Sequence, residues 1–226
     1  MSALDMRAVL FDFDGVVVDS TPLHLRGWEH AYLEMFQVTL EPEVLAELVG
    51  RSTSAIGRIL AERSGFPMAK AELVRRKTIY IASHIDSIQP IKGIDVFLKD
   101  LRKKNIPYGI VSNAPREFIL NTLKHLKLDF PFVLGLENYQ RPKPDAEPYM
   151  KGAQKIGSIP FQDHRSIFVF EDSTHGLEAA IAAHMTPIGI CSQHPPSILT
   201  AAGAIQCFQD MEEALSLFSN SICDKS

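Results

Sequence analysis

Long apolar runs and an excess of basic residues are both absent from this sequence of 226 residues. Because a membrane-spanning helix needs about 20 consecutive apolar residues, we expect no membrane partner. The formal net charge of −4 provides no basic footprint, so we also expect no nucleic-acid partner. Residues 1–15 hold no apolar stretch of signal-peptide length before the acidic residues begin, which favours a cytoplasmic location.

Cysteine is scarce as well. The three cysteines (Cys191, Cys207 and Cys223) are odd in number and lack the CxxC spacing of common metal sites. This pattern argues against a disulfide framework and against a zinc site, and it is typical of reduced thiols. Internal repeats and low-complexity stretches are also absent, and no pattern specifies an oligomer, so we take a monomer as the default expectation.

Helical periodicity dominates the region that follows the first short strand. Residues 7–13, "RAVLFDF", are apolar and rich in residues that favour strands. The spacing then changes, and Leu25, Trp28 and Tyr32 recur at steps of three and four, as on one face of a helix. Similar spacing continues through three further segments, of which the last, residues 68–88, predicts one longer amphipathic helix. We therefore predict an all-helical cap domain over residues 16–89.

Strand-like and helix-like segments alternate along the rest of the chain. The strand-like runs cover residues 107–113, 132–135, 166–172 and 186–191, and "AIQCF" is a candidate edge strand. Helical segments separate these runs, which indicates right-handed βαβ units and a parallel sheet. We therefore predict an α/β fold with a Rossmann-like parallel-sheet core of residues 1–15 and 90–226, into which the helical cap is inserted after the first strand.

Polar side chains that could take part in catalysis or binding follow four of the predicted strands. Ligands of open α/β sheets bind beyond the carboxyl ends of the strands, so we expect these side chains to share one site. They are Asp12 and Asp14 after the first strand, Ser112 and Asn113 after the second, Lys143 in the loop after the third, and Glu171 and Asp172 after the fourth.

The residue types at these strand ends suit phosphoryl transfer. Four carboxyl groups in one cleft repel each other, and a hard divalent cation such as Mg²⁺ relieves that repulsion. Asp12 could then attack phosphorus and form an aspartyl-phosphate, while Asp14 protonates the leaving group and later activates water. Taken singly, each residue is also typical of a turn, a helix cap or a solvated loop.

The motifs "DFDGVVVDS", "VSN", "KPDAEPY" and "FEDSTHG" occur in this order along the chain. This set resembles the haloacid dehalogenase-like (HAD) phosphohydrolase superfamily, in particular the branch with a helical cap that includes β-phosphoglucomutase and many phosphatases. The resemblance extends over essentially the whole chain. It is specific for the superfamily and poorly specific for the substrate.

The resemblance implies roles for the residues of the motifs. Asp12 matches the nucleophile and a Mg²⁺ ligand, and Asp14 matches the general acid and base, whose backbone carbonyl reaches the metal. Ser112 matches the phosphate-binding hydroxyl, with Asn113 beside it. Lys143 matches the lysine that neutralises the nucleophile and the phosphate.

The resemblance also implies further metal ligands and residues of the cap. Asp172 matches a metal ligand, and Glu171 is a second acidic residue that ligates directly or through water. His24 matches a cap-hinge histidine that couples cap closure to acid–base chemistry, although it could equally lie on an ordinary helix face. Arg51 is a candidate for binding the substrate.

The cap departs from the mutase pattern. The match places Val49 where the mutase has a lysine and Thr53 where it has the arginine that grips the distal phosphate, and Arg51 could substitute only from a shifted position. We therefore expect a Mg²⁺-dependent phosphatase of a small phosphorylated metabolite, such as a sugar phosphate. A hexose-phosphate mutase of the β-phosphoglucomutase type and a catalytically silent binding protein on the same fold are the alternatives.

Overall fold

A computed structural model of the chain describes residues 5–49, 53–157 and 159–220. The chain divides into two compact units. The first combines the chain up to Asp19 with the chain from Gln89 onward, and the second comprises Ser20–Ile88. Within the described ranges, no helix has both the length and the apolar character needed to cross a membrane.

Strands and helices alternate in the first unit, whereas the described residues of the second unit form helices joined by short loops and contain no strand. The strands are β1 (Ala8–Phe11), β2 (Val18–Asp19), β3 (Gln89–Pro90), β4 (Tyr108–Val111), β5 (Val133–Leu134), β6 (Ile167–Glu171), β7 (Thr186–Ile190) and β8 (Gln206–Phe208). The α-helices are α1 (Thr21–Phe36), α2 (Pro42–Leu48), α3 (Thr53–Arg63), α4 (Lys70–Ser83), α5 (Ile94–Lys103), α6 (Arg116–Leu126), α7 (Glu147–Ile156), α8 (Thr174–Ala182), α9 (Pro196–Ala201) and α10 (Met211–Asn220).

Six parallel strands form one sheet in the order β5-β4-β1-β6-β7-β8. Counted within this sheet alone, the order is 3-2-1-4-5-6, which is the order of doubly wound nucleotide-binding folds. The prediction of an α/β fold with a Rossmann-like parallel sheet is therefore confirmed. The edge strand expected in "AIQCF" is present as β8.

The first strand lies at the centre of the sheet because its residues are apolar on both faces. All four residues of β1 are fully buried, as expected for a parallel sheet that helices cover on both sides. On one face, the ring of Phe11 stacks on Phe170 with a centroid separation of 5.5 Å and meets Phe97 edge to face at 5.9 Å. On the other face, Leu10 joins a core cluster that includes Tyr149.

A short antiparallel ribbon flanks the helical unit in sequence, with one strand before it and one after it. The sequence does not predict this ribbon. In this ribbon β2 pairs with β3, so that Val18 lies opposite Pro90 and Asp19 lies opposite Gln89. The N–H of Ile91 also donates to the carbonyl of Val17 at 3.0 Å. The ribbon thus joins the point where the chain leaves the first unit to the point where it returns.

The second unit has a core of its own. Trp28, Leu60 and Leu73 are among its buried residues. The single helix that the sequence predicts over residues 68–88 is instead divided: a 3₁₀ turn over Pro67–Ala69 precedes α4, and another over Ile85–Ser87 follows it. Proline at the start of the first turn has no N–H to donate, which is compatible with a helix start and not with a helix interior.

Candidate active site

The end of β1 delivers Asp12 to the carboxyl edge of the sheet. The N–H of Asp12 donates to the carbonyl of Phe170 at 2.9 Å and so extends the pairing with β6 by one residue. The chain then turns sharply, because the carbonyl of Phe13 accepts the N–H groups of Val17 and Val18 at 2.9 and 3.1 Å. This turn leaves Asp12 buried and Asp14 half-buried, just past the strand end.

Glycine is required within this turn. Gly15 has a φ of +74°, a conformation that other residues rarely adopt. A Cβ at this position would also overlap the carboxylate of Asp172 and crowd the hydroxyl of Ser192. The glycine of "DFDG" therefore allows the backbone to pass directly beside the acidic end of β6.

Lys143 is the buried cation of the site. It lies in the loop between β5 and α7, and its side chain is only 3% exposed. Its Nζ donates to Asp12 Oδ1 at 2.5 Å, to Glu171 Oε1 at 2.6 Å and to the carbonyl of Val111 at 2.8 Å. These bonds use all three protons of the ammonium group.

The loop that carries Lys143 is held from the end of β4. The side-chain amide of Asn113 pairs with the backbone of Lys143: its Nδ2 donates to the carbonyl at 3.3 Å, and its Oδ1 accepts the N–H at 3.2 Å. Ser112 is buried beside it, and its hydroxyl accepts the N–H of Ala114 at 3.1 Å. Asn113 therefore positions the backbone of Lys143. The predicted role of Asn113 in binding phosphate stays a prediction.

Three carboxylates form an oxygen-only cluster that fits a hard cation. One oxygen from each of Asp12, Glu171 and Asp172 can be chosen so that all three atoms lie within 4.8 Å of one another. Oxygen donors at this density are the ligands that Mg²⁺ prefers. The donor set of the site therefore fits the predicted metal.

The electrostatics of the cluster support the same fit. Burial raises the pKa of Asp12 to about 7, with Lys143 opposing the shift and Glu171 adding to it. Burial, together with the charges of Glu171 and Asp12, raises the pKa of Asp172 well above its ordinary range. Desolvation lowers the pKa of Lys143, but the two neighbouring carboxylates outweigh it and the net shift is upward. A divalent cation would stabilise the ionised form of both aspartates.

The structure thus brings the predicted residues of the sheet unit to one edge of the sheet. Asp12, Lys143 and Glu171 are in direct contact, and the carboxylate of Asp172 joins the same cluster. His24 lies in the first turn of α1 in the other unit, and its predicted role stays a prediction. Arg51 lies outside the described residues.

Two further residues of the site were not among those predicted from the sequence, although Tyr149 ends the motif "KPDAEPY". Tyr149 is fully buried in α7, and its hydroxyl donates to Glu171 Oε1 at 2.6 Å. Ser192 follows β7, and its hydroxyl donates to Asp172 Oδ2 at 3.1 Å. From the sequence, the tyrosine is typical of a core aromatic residue and the serine of a loop residue. Only the fold shows that both contact the acidic cluster.

The family comparison agrees with the geometry. The sequence profile of the family described as haloacid dehalogenase-like hydrolase matches residues 9–190. This range contains every residue of the acidic cluster as well as Lys143. The resemblance inferred from the four motifs is therefore confirmed.

Curated relatives and solved structures are similar over most of the chain. The fructose-1-phosphate phosphatase YqaB of Escherichia coli (strain K12) is 26% identical over 80% of this chain and 95% of its own length. The β-phosphoglucomutase of Bacillus subtilis (strain 168) is 28% identical over 84% of this chain and 85% of its own length. The crystal structure of a hydrolase from Pseudomonas syringae superposes with a TM-score of 0.77 at 22% identity, covering 95% of this chain and 99% of that one, and this likeness supports the fold alone.

Proposed function

This chain belongs to the haloacid dehalogenase-like hydrolases and is an enzyme of their phosphatase type, and on that premise we propose that it hydrolyses a small phosphate monoester with the help of Mg²⁺. The observation that carries the proposal is the buried contact between Asp12 and Lys143 at the edge of the sheet, 2.5 Å between Oδ1 and Nζ. The carboxylate supplies the nucleophile, and the ammonium group beside it supplies the positive charge that phosphoryl transfer needs.

Asp12 and Asp14 divide the first half of the reaction between them. An oxygen of Asp12 attacks phosphorus, and the bond between phosphorus and the ester oxygen breaks. Asp14, which lies past the strand end, donates its proton to the departing oxygen, so that the alcohol leaves neutral. Lys143 remains beside Asp12 and stabilises the negative charge of the transferring phosphoryl group.

The second half reverses the role of Asp14. Now ionised, Asp14 accepts a proton from water, and the water oxygen attacks the phosphorus of the aspartyl-phosphate. The bond between phosphorus and the oxygen of Asp12 breaks, which releases inorganic phosphate and restores the carboxylate. Mg²⁺ held by Asp12, Asp172 and the backbone carbonyl of Asp14 would neutralise negative charge at the phosphoryl group. Glu171 would reach it only through water, because both of its oxygens accept hydrogen bonds from Lys143, Tyr149 and Ser173.

A phosphorylated sugar or sugar alcohol is the substrate class that we propose. The name of the relative from Escherichia coli assigns it to fructose 1-phosphate, and another relative, 30% identical over 78% of this chain, is named hexitol phosphatase A. These names support the class and do not fix the individual substrate, because the cap sequence departs from the mutase pattern at Val49 and Thr53.

A hexose-phosphate mutase is the second candidate, and the similarity to the β-phosphoglucomutase of Bacillus subtilis favours it. Incubation with β-glucose 1-phosphate and a trace of the corresponding bisphosphate separates the two candidates. A phosphatase releases inorganic phosphate, whereas a mutase produces glucose 6-phosphate. We expect phosphate, because Thr53 stands where the mutase pattern requires an arginine for the distal phosphate.

Replacement of the nucleophile tests the proposal. We expect Asp12→Asn to reduce Mg²⁺-dependent hydrolysis of p-nitrophenyl phosphate and of a panel of sugar phosphates by at least about 10⁴-fold, since an amide cannot form the covalent intermediate. Asp95→Asn is the matched control, because Asp95 is an exposed acid whose carboxylate pairs with Lys99 on α5. A fully active Asp12→Asn enzyme would refute the assignment.

A further inference from the structure

Tyr149 contacts two charged groups of the site and has no part in the reaction as described so far. It lies in the first turn of α7 and is fully buried. Its hydroxyl donates to Glu171 Oε1 at 2.6 Å, and the Nζ of Lys143 lies 4.6 Å from the centre of its ring. One side chain thus supports both the carboxylate and the ammonium group.

The carboxylate of Glu171 is fixed on both of its oxygens. Oε1 accepts from Lys143 and from Tyr149. Oε2 accepts from the N–H of Ser173 at 3.3 Å and from its hydroxyl at 3.0 Å. Since a carboxylate oxygen has about two acceptor positions, these four donors leave the group little freedom to rotate or shift.

The position of Lys143 depends on that fixed carboxylate. Its three protons go to Asp12, Glu171 and Val111, so Glu171 Oε1 is one of three points that locate the ammonium group. The ring of Tyr149 closes another side, where its π face attracts the cation. If Oε1 moved, Lys143 would be free to move away from Asp12.

We infer that Tyr149 is a positioning residue for phosphoryl transfer: its hydroxyl and ring hold Glu171 and Lys143 so that the ammonium group stays on Asp12. The inference rests on the proposed function, because the position of Lys143 matters to the rate only if Asp12 reacts. Tyr149 acts in this role through Glu171 and Lys143 and not by touching substrate, so removal of its hydroxyl should affect the rate of the chemical step and not the binding of substrate.

Removal of the hydroxyl alone tests this role. Tyr149→Phe keeps the ring that fills the core, and we expect kcat for p-nitrophenyl phosphate to fall about tenfold, the effect of losing a hydrogen bond to a charged group, with KM unchanged within about twofold. Tyr108→Phe is the control. Tyr108 is also buried and its hydroxyl also bonds a charged group, accepting from Arg102 at 2.7 Å, but it lies at the opposite end of β4 from Ser112. Its kcat should match the wild type.

The outcomes separate this inference from the proposed function. If Tyr149→Phe retains the kcat of the wild type while its melting temperature falls as in Tyr108→Phe, the hydroxyl is merely structural and the inference is wrong. If the wild type hydrolyses no phosphate ester, the proposed function fails, and a ¹H–¹⁵N spectrum of lysine ammonium groups then decides on Tyr149. The Lys143 signal, assigned through Lys143→Arg, should be lost or displaced in Tyr149→Phe, and an unchanged signal would overturn the inference.

Discussion

A buried lysine among buried carboxylates is the most unusual feature of the chain at the scale of single residues. Lys143 and Glu171 expose 3% and 1% of their side chains. Such groups are costly to remove from water, and their mutual attraction repays that cost only when every proton and lone pair is well placed. Here Lys143, Glu171 and Tyr149 satisfy one another. We therefore interpret this arrangement as a means of fixing a positive charge beside Asp12 and not as a source of stability.

Ser192 provides a test of how the metal ligand is held. Its hydroxyl donates to Asp172 Oδ2 and lowers the pKa of that carboxyl, against the upward effect of burial. We expect Ser192→Ala to weaken Mg²⁺ binding about tenfold, because Asp172 loses an orienting partner and becomes harder to ionise. Isothermal titration of Mg²⁺ into the purified protein measures this directly.

The matched control for Ser192 is Ser166→Ala. The hydroxyl of Ser166 donates to the backbone carbonyl of Asp163 at 2.7 Å, immediately before β6 and at the end of that strand opposite the site. Its loss should leave Mg²⁺ affinity unchanged. Equal affinity of Ser192→Ala and the wild type would show that Asp172 is positioned without the serine.

Sequence alone could place the candidate site residues at the strand ends, but it could not identify the residues that support them. Asp12, Ser112 and Asp172 were predictable because each follows an apolar strand, and parallel strands end at a common edge. Tyr149 and Ser192 were not. Their contacts with the acidic cluster arise from packing between segments 20 or more residues apart. Tyr149 ends the motif "KPDAEPY", but its residue type is that of a core aromatic, and Ser192 belongs to none of the four motifs.

At the scale of secondary structure, the start of α8 is shaped around Glu171. Ser173 caps the helix by accepting the N–H of Gly176 at 3.1 Å. A Cβ at Gly176 would overlap the carboxylate of Glu171. The glycine of "FEDSTHG" therefore lets the first turn of α8 close over the carboxylate that holds Lys143.

Gly176→Ala tests this close packing. In an ordinary helix the change adds about 1 kcal/mol of stability. Here we expect the opposite, a loss of about 1–3 kcal/mol from overpacking, together with a lower kcat because Glu171 is displaced. Urea denaturation and steady-state kinetics measure the two effects. His175→Ala, at an exposed position in the same turn, should stay within about 0.5 kcal/mol of the wild type, and a stabilised Gly176→Ala protein would contradict the packing argument.

Prediction of elements succeeded where the pattern was local. The central strands are unbroken apolar runs, and the helices show spacing of three and four, so both are visible in the sequence. The ribbon of β2 and β3 is not, because each strand has two residues and the pairing joins positions about 70 residues apart. The 3₁₀ turns around α4 were also missed, since their side-chain spacing differs little from that of an α-helix.

At the scale of the whole molecule, sheet topology is what assembles the site. The order β5-β4-β1-β6-β7-β8 puts β1 between β4 and β6, where the connections leave the sheet in opposite directions. Residues far apart in sequence consequently meet at this point: Asp12 and Lys143 are separated by 131 positions and are in direct contact. The topology thus brings the residues that we propose to react to one edge of the sheet.

Trapping the covalent intermediate is the most direct test of whether Asp12 is the nucleophile. The enzyme would be mixed with Mg²⁺ and an excess of a phosphate ester that it hydrolyses, quenched in acid during turnover, and reduced with borohydride, which converts a phosphorylated aspartate into homoserine. Peptide mass spectrometry then locates the modified position. We expect homoserine at position 12, and only when the ester is present. Modification at another residue, or steady turnover with an acyl phosphate nowhere in the chain, would contradict this expectation.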